Sequence, residues 1–232
     1  MATVTADVSA ITTGSASVTL AAGSFTAGGV SYGYRSNALT ANAVLSSGSK
    51  AFSVTSIDVA GNTTNQGGFT VTVDNTAPAA TDIQTTNVAG GTIGLPETGD
   101  SIVYTFSEPM DPGSILAAWN GSVTSVTLHL NNTPAGDSVT VFNAANTTQL
   151  PLGVADIGKK NYTTASVVFT GSTMVMSGSA ITVTLGTPGG TGARIGNVAN
   201  IVWTPSSAAT DRAGNACSTA SATQSGPARR AF

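Results

Sequence analysis

Phe52-Ser-Val-Thr-Ser-Ile57, Asp58-Val-Ala-Gly-Asn62 and Phe69-Thr-Val-Thr-Val73 follow one another along the chain and together have the pattern of a β-hairpin. In the first and third stretches apolar residues alternate with Thr or Ser, as in strands that bury one face. The middle stretch suits the turn, because Gly accepts a positive φ and Asp and Asn hydrogen-bond to nearby backbone. After Val73 the sequence Asp-Asn-Thr-Ala-Pro78 leaves the strand, and proline cannot continue a ladder.

The turn sequence Asp-x-Ala-Gly-Asn occurs a second time, at Asp211-Arg-Ala-Gly-Asn215. A repeated turn at this spacing predicts two similar units, and Thr76-Ala-Pro78 is the best boundary between them. We therefore expect a first domain over residues 1–76, a larger second domain over 77–226 and a flexible tail over 227–232.

Period-two alternation continues through most of the second half, whereas helical periodicity is nearly absent. A short helix is predicted only at Asp111–Trp119, where Asp can cap the first turn and Pro112 takes the first helical position. The pattern predicts an all-β fold of the sandwich or barrel type. Strands are predicted over Ser17–Leu20, Phe52–Ile57, Phe69–Val73, Ile102–Phe106, Val123–Leu130, Ser138–Phe142, Ser166–Phe169, Met174–Met176, Ile181–Leu185 and Asn200–Trp203.

Composition excludes several classes of function. Only 8% of the 232 residues are charged, and the formal net charge is −3, so no basic face for nucleic acid is present. No apolar run reaches the roughly 18–20 residues that span a membrane. Cys217 is the only cysteine and is expected to be a small buried residue. The first residues have no basic segment followed by an apolar one, so we expect no signal peptide and no membrane insertion in this fragment.

Two phrases carry a family resemblance. The run from Phe52 to Pro78 resembles the C-terminal half of bacterial immunoglobulin-like domains from tandem-repeat surface proteins and adhesins. Gly99-Asp-Ser-Ile-Val-Tyr-Thr-Phe-Ser-Glu-Pro-Met-Asp111 is similar to the opening strand of a second such family, found in S-layer and other cell-surface proteins. The resemblance implies two tandem immunoglobulin-like Greek-key β-sandwiches, the second enlarged by insertions, on the bacterial cell surface or outside the cell.

An enzyme is not expected. His129 is the only histidine, and it alternates with Leu128 and Leu130, which predicts an exposed strand position. A catalytic histidine needs an orienting carboxylate and a nucleophile, and the sequence indicates neither. No phosphate-binding glycine loop, dinucleotide fingerprint or Gly-x-Ser-x-Gly motif is present.

Calcium is the one metal that the sequence suggests. Asp58, Asp74 and Asp211 lie at turn or linker positions among carbonyl-rich Gly and Asn residues, and calcium accepts such irregular oxygen sets. Turn chemistry alone, without metal, is the alternative for the same three aspartates.

The sequence leaves two functions open. One is a non-catalytic structural module of a bacterial extracellular protein, whose partners are other cell-surface proteins or copies of itself. The other is an adhesin or carbohydrate-binding module. For glycan stacking the best candidates are Tyr32, Tyr34 and Tyr162, whereas Trp119 and Trp203 are expected in the core.

Overall fold

A computed structural model describes residues 3–27, 30–134, 136–158, 162–193 and 196–232. The chain divides into two compact units, Met1–Thr76 and Ala77–Phe232. Almost all regular structure is β, as predicted. Within the described ranges, no helix has both the length and the apolar character needed to cross a membrane.

The first unit consists of a four-stranded sheet and a separate two-stranded hairpin. All pairings are antiparallel, and the sheet has the order β2-β1-β5-β6, while β3 pairs with β4. The strands are β1 (Thr3–Asp7), β2 (Val18–Thr19), β3 (Ala21–Ala27), β4 (Val30–Arg35), β5 (Gly48–Ile57) and β6 (Thr63–Val73).

The four-stranded sheet has one largely apolar face, on which Lys50 lies opposite Val71, and one hydroxyl-rich face. The register places Ala6 opposite Val54 and Phe52 opposite Phe69, so these side chains share a face. The two phenyl rings stack with centroids 5.3 Å apart. Among the described side chains of this unit, those of Val4, Ala6 and Thr12 alone are buried, so most of the apolar face stays partly exposed.

The second unit is one large antiparallel sheet that curls upon itself. Its order is β16-β15-β11-β10-β9-β12-β13-β8-β7, with β14 paired to one end of β12. The strands are β7 (Ala80–Thr86), β8 (Ser101–Phe106), β9 (Thr124–Asn131), β10 (Ser138–Asn143), β11 (Val154–Asp156), β12 (Val167–Ser177), β13 (Ala180–Thr184), β14 (Thr187–Pro188), β15 (Val202–Thr204) and β16 (Ala222–Thr223).

The core of this unit lies between the two ends of the curled sheet. Trp203 of β15 is fully buried, and Tyr104 and Phe106 of β8 meet it edge-on, with centroid distances of 5.1 and 4.9 Å. The indole Nε1–H of Trp203 donates to the carbonyl of Leu152 at 2.6 Å, which satisfies its polar group. The result is a sandwich- or barrel-like arrangement, as the alternation predicted.

A β-bulge lies in β12, the strand that pairs with β9 on one side and with β13 and β14 on the other. The single strand β12 contains Val167–Phe169 and Met174–Met176, from the two predicted strands Ser166–Phe169 and Met174–Met176. Its register with β9 shifts between Phe169 and Ser172. Gly171 adopts a φ of +68° there, and Ser172 Oγ donates to the Phe169 carbonyl at 2.9 Å.

The short predicted helix is confirmed as α1 (Pro112–Ile115). Asp111 Oδ1 accepts the Gly113 N–H at 3.0 Å, and Pro112 lies at the start. The helix ends after one turn, because Leu116 returns to an extended conformation.

The final residues, expected to form a flexible tail over 227–232, pack on the second unit in the structure. Ala231 and Phe232 are buried, and the Phe232 N–H donates to Thr85 Oγ1 at 3.1 Å. Arg229 Nη2 donates to the Thr85 carbonyl at 2.8 Å. These contacts are long-range, so the local sequence could not reveal them.

Candidate functional site

The two Asp-x-Ala-Gly-Asn turns have almost identical hydrogen bonds. In the first, Asp58 Oδ1 accepts the N–H groups of Ala60 and Asn62 at 2.8 and 2.9 Å, and Asp58 Oδ2 accepts Asn62 Nδ2 at 2.8 Å. The glycine of this turn, Gly61, has a φ of +87°. The motif therefore closes a hairpin between β5 and β6.

In the second turn Asp211 accepts the equivalent three bonds from Ala213 and Asn215, each at 2.8 Å. Gly214 has a φ of +92°. Here the turn joins short bridged segments, with Thr210 opposite Ala216, rather than two long strands. The turn explanation that the sequence offered is thus sufficient for both motifs.

The same bonds set the acidity of the two aspartates. Hydrogen bonds from the Asn62 side chain and backbone lower the pKa of Asp58. For Asp211 the largest single effect is desolvation, which acts to raise the pKa, but bonds from Asn215, Ala213 and Gly214 outweigh it and the pKa is lowered. Both carboxylates are therefore held in the ionised form.

Two of the three candidate calcium ligands, Asp58 and Asp74, lie in the first unit and do not converge there, whereas Asp211 lies in the second unit. Asp58 lies in the turn before β6, and Asp74 directly follows the last residue of β6, so the eleven residues of this strand separate the two aspartates. Asp74 Oδ1 accepts the Thr76 N–H at 2.9 Å, another local turn contact. In the second unit, one carboxylate oxygen of Glu108 lies within 4.8 Å of one of Asp211. A carboxylate offers about four acceptor positions, and the turn bonds already use three of those on Asp58 and on Asp211.

The contacts of His129 and Cys217 are packing contacts within the second unit. His129 is half-buried rather than exposed, and its ring stacks on Phe142 with centroids 4.2 Å apart. Its Nε2 lies 2.6 Å from Asn146 Oδ1. Cys217 is 2% exposed, as expected for a small core residue, and burial raises the pKa of its thiol.

The aromatic residues divide into core and surface groups. Trp119 and Trp203 are buried, which confirms the expectation for both. Tyr162, a predicted glycan contact, is also buried, and its hydroxyl accepts the Ala231 N–H at 3.0 Å, so that part of the prediction is wrong. Tyr32 and Tyr34 remain exposed on β4, by 50% and 38%.

The second unit has a shallow cleft of about 560 Å³ beside Gly91, Leu95 and Thr191. Glu97 lines this cleft, and its carboxylate accepts the Thr92 N–H. The nearby buried Asp100 accepts the N–H groups of Val88 and Glu97 at 2.8 and 2.7 Å. Burial raises the pKa of Asp100. These acidic groups therefore hold the loops that form the cleft.

The strand β6 forms an edge of the first unit's sheet, and the alternation of apolar residues alone does not predict this edge. Among the described residues β6 pairs with β5 on one side only, and most of its residues are exposed. The available signal was charge: residues 59–73, between Asp58 and Asp74, contain no charged side chain. Strands at sheet edges usually carry charge or proline, which prevent pairing with another chain.

The chain matches no protein-family model, no curated protein and no solved structure. The resemblance to immunoglobulin-like domains of bacterial surface proteins therefore stays a prediction.

Proposed function

We propose that this chain is a non-catalytic structural module of a bacterial extracellular or cell-surface protein, built from two immunoglobulin-like units, that associates with copies of itself. The Greek-key connectivity and the tandem immunoglobulin-like count belong to this proposal. They are supported by the alternating strands, the repeated hairpin turn and the resemblance of Phe52–Pro78 and Gly99–Asp111.

The observation that carries the proposal is the apolar face of the first unit's sheet. Val71 on this face is 41% exposed, and Phe52, Val54, Phe69 and Val73 are only half-buried. Burying apolar area stabilises a protein by about 25 cal/mol per Å². A sheet that leaves this face partly in water gains stability when another surface covers it.

The low charge content supports association between copies of the chain. With 8% charged residues and a net charge of −3, copies of the chain repel one another weakly. The opposite face of the sheet is rich in Thr and Ser, whose uncharged hydroxyl groups add no like-charge repulsion.

Size-exclusion chromatography with light scattering, together with a glycan array, tests the proposal. We expect mass to rise above that of the 22.8 kDa chain with increasing concentration, and no glycan to bind. A chain that stays monomeric over the whole range contradicts self-association, and glycan binding by that monomer favours the second candidate.

The second candidate is an adhesin or carbohydrate-binding module, and the exposure of Tyr32 and Tyr34 favours it. The two rings lie two positions apart on β4, where both are accessible to a sugar face. If this function is correct, Tyr32→Ala with Tyr34→Ala abolishes glycan binding. The control Val44→Ala, at a position 84% exposed, leaves it intact.

A further inference from the structure

The two edges of the first unit's sheet are unequal. One edge strand, β2, has two residues, and so short an edge offers little backbone for pairing. The other, β6, has eleven residues and no charged or proline side chain. A register shift opposite Phe52 and Val54, at Gly67 and Gly68, is the one protective irregularity on β6, and it leaves Phe69–Val73 regular.

The second unit shows how this chain covers an edge. Its edge strand β7 contains Asp82, whose Oδ1 accepts the Ser225 N–H at 2.8 Å, and Gln84, whose Nε2 donates to Ser225 Oγ at 3.0 Å. Arg229 also donates to Gln84 Oε1. The C-terminal segment thus lies over β7, whereas the described residues place no such cover over β6.

The sequence of β6 is suited to pairing with itself. Between Phe69 and Val73 the order is apolar, Thr, apolar, Thr, apolar, which reads the same in both directions about Val71. In an antiparallel pair related by a two-fold axis at Val71, Phe69 faces Val73, Thr70 faces Thr72 and Val71 faces Val71. Each apolar side chain then meets an apolar one on the same face, and each Thr meets a Thr.

We propose that β6 of one copy pairs antiparallel with β6 of a second copy, with the two-fold axis at Val71. This inference rests on the proposed self-association and names its surface and register. The pairing joins two four-stranded sheets into one, and it makes the exposed apolar faces continuous. Since one strand pair buries a small area, the dimer is weak, with a Kd in roughly the 10 µM to 1 mM range.

Charge at the two-fold axis provides the first test, measured by sedimentation equilibrium from about 10 µM to about 1 mM. Val71→Lys and Val71→Glu each place like charges directly opposite one another, and each weakens the dimer by about 10-fold or more. A mixture of the two variants restores association, because Lys then faces Glu. Val71 is 41% exposed, so neither change opens the core, and Val59→Lys, at an 87% exposed turn position, is the matched control that leaves the dimer unchanged.

A disulfide provides the test of register. Opposite residues of an antiparallel pair have Cα atoms about 4.5–5.5 Å apart, within disulfide range. Val71→Cys therefore cross-links two copies under mild oxidation, whereas Val73→Cys, which faces Phe69, does not. Cys217 is buried and does not compete.

The outcomes separate this inference from the proposed function. If the chain associates but Val71→Lys and Val71→Glu have no effect, or the mixture fails to recover, β6 pairing is wrong while self-association stands. If Val73→Cys cross-links as fast as Val71→Cys, the register is wrong. If the native chain stays monomeric at about 1 mM, both the pairing and the self-association are wrong.

Discussion

Asn215 Nδ2 donates to Asp211 Oδ2 at 2.8 Å, and this bond closes the second Asp-x-Ala-Gly-Asn turn on an aspartate residue that is 3% exposed. The equivalent pair in the first unit, Asn62 and Asp58, has the same 2.8 Å distance but is exposed. The two turns thus share their geometry and differ in their access to water. Water can replace a lost bond at the exposed turn more easily than at the buried one.

The first prediction compares these two turns. Asp211→Ala removes three accepted hydrogen bonds and lowers the free energy of unfolding by about 1–2 kcal/mol. Asp58→Ala has a smaller effect, because solvent reaches the same donors. Urea unfolding measures both, with the exposed Arg212→Ala as the control for the second turn. Equal losses from the two Asp variants would contradict the role of burial.

The second prediction compares two glycines with similar positive φ. Gly214 has a φ of +92° and open space around the position of a Cβ atom, so Gly214→Ala costs only backbone strain, about 1 kcal/mol. At Gly153, with a φ of +81°, a Cβ atom would lie 2.0 Å from the Thr204 carbonyl oxygen. Gly153→Ala therefore costs about 3 kcal/mol in addition to the same strain. Thermal melts of the two variants test the order, and a Gly214→Ala variant as unstable as Gly153→Ala would refute it.

The sequence predicted the parts of the fold whose cause is local. Alternation located β5, β8 and β13, and the Asp and Gly chemistry located both turns. Strands with little alternation are not predicted by the sequence. One of them is β3 (Ala21–Ala27), which is rich in small residues and whose pairing with β4 has a bulge between Ala22 and Phe25. A pattern of small residues has no strong period to detect.

Contacts between distant residues account for the remaining differences. Tyr162 has the sequence surroundings of a loop, yet its hydroxyl meets Ala231, 69 residues later. Phe232 is buried through contacts with Thr85, at a separation of 147 residues. No local signal in the sequence carries such information. The predictions of a glycan contact at Tyr162 and of a flexible tail are therefore wrong for the same reason, because contacts with distant residues bury these side chains.

The third prediction concerns the C-terminal segment. Phe232 is 3% exposed, and its carbonyl accepts the Gly94 N–H at 3.0 Å. Phe232→Ala lowers the free energy of unfolding by about 3 kcal/mol, in the range for truncating a buried phenylalanine. Pro227→Ala, in the exposed part of the same segment, serves as the control and changes stability by less than about 0.5 kcal/mol. Tryptophan fluorescence during urea unfolding reports on the result, since Trp203 lies in the same unit.

The fourth prediction concerns acid. The pKa values of Asp58 and Asp211 are lowered in the folded chain, so each aspartate contributes stability above its unfolded pKa of about 3.9. That contribution is lost as the pH falls through the lower folded pKa. We expect the melting midpoint to fall between about pH 5 and pH 2, and to fall less steeply in Asp211→Asn. An unchanged slope in this variant would show that other carboxyl groups control acid unfolding.

The last prediction decides between turn chemistry and calcium at Asp58, Asp74 and Asp211. The turn donors already use three of about four acceptor positions on Asp58 and on Asp211, so calcium would have to compete with these bonds or share what remains. We expect EGTA to leave the melting midpoint unchanged. A ligand that binds the folded chain at 100 times its Kd stabilises it by about 2.7 kcal/mol, which a melt detects readily.

If calcium does raise the midpoint, the variant Glu108→Gln tests where the ion binds, because Glu108 and Asp211 have carboxylate oxygens within 4.8 Å of each other. Loss of the shift in Glu108→Gln, with the shift retained in Asp58→Asn, would assign calcium to the second unit and give its turn a function beyond geometry.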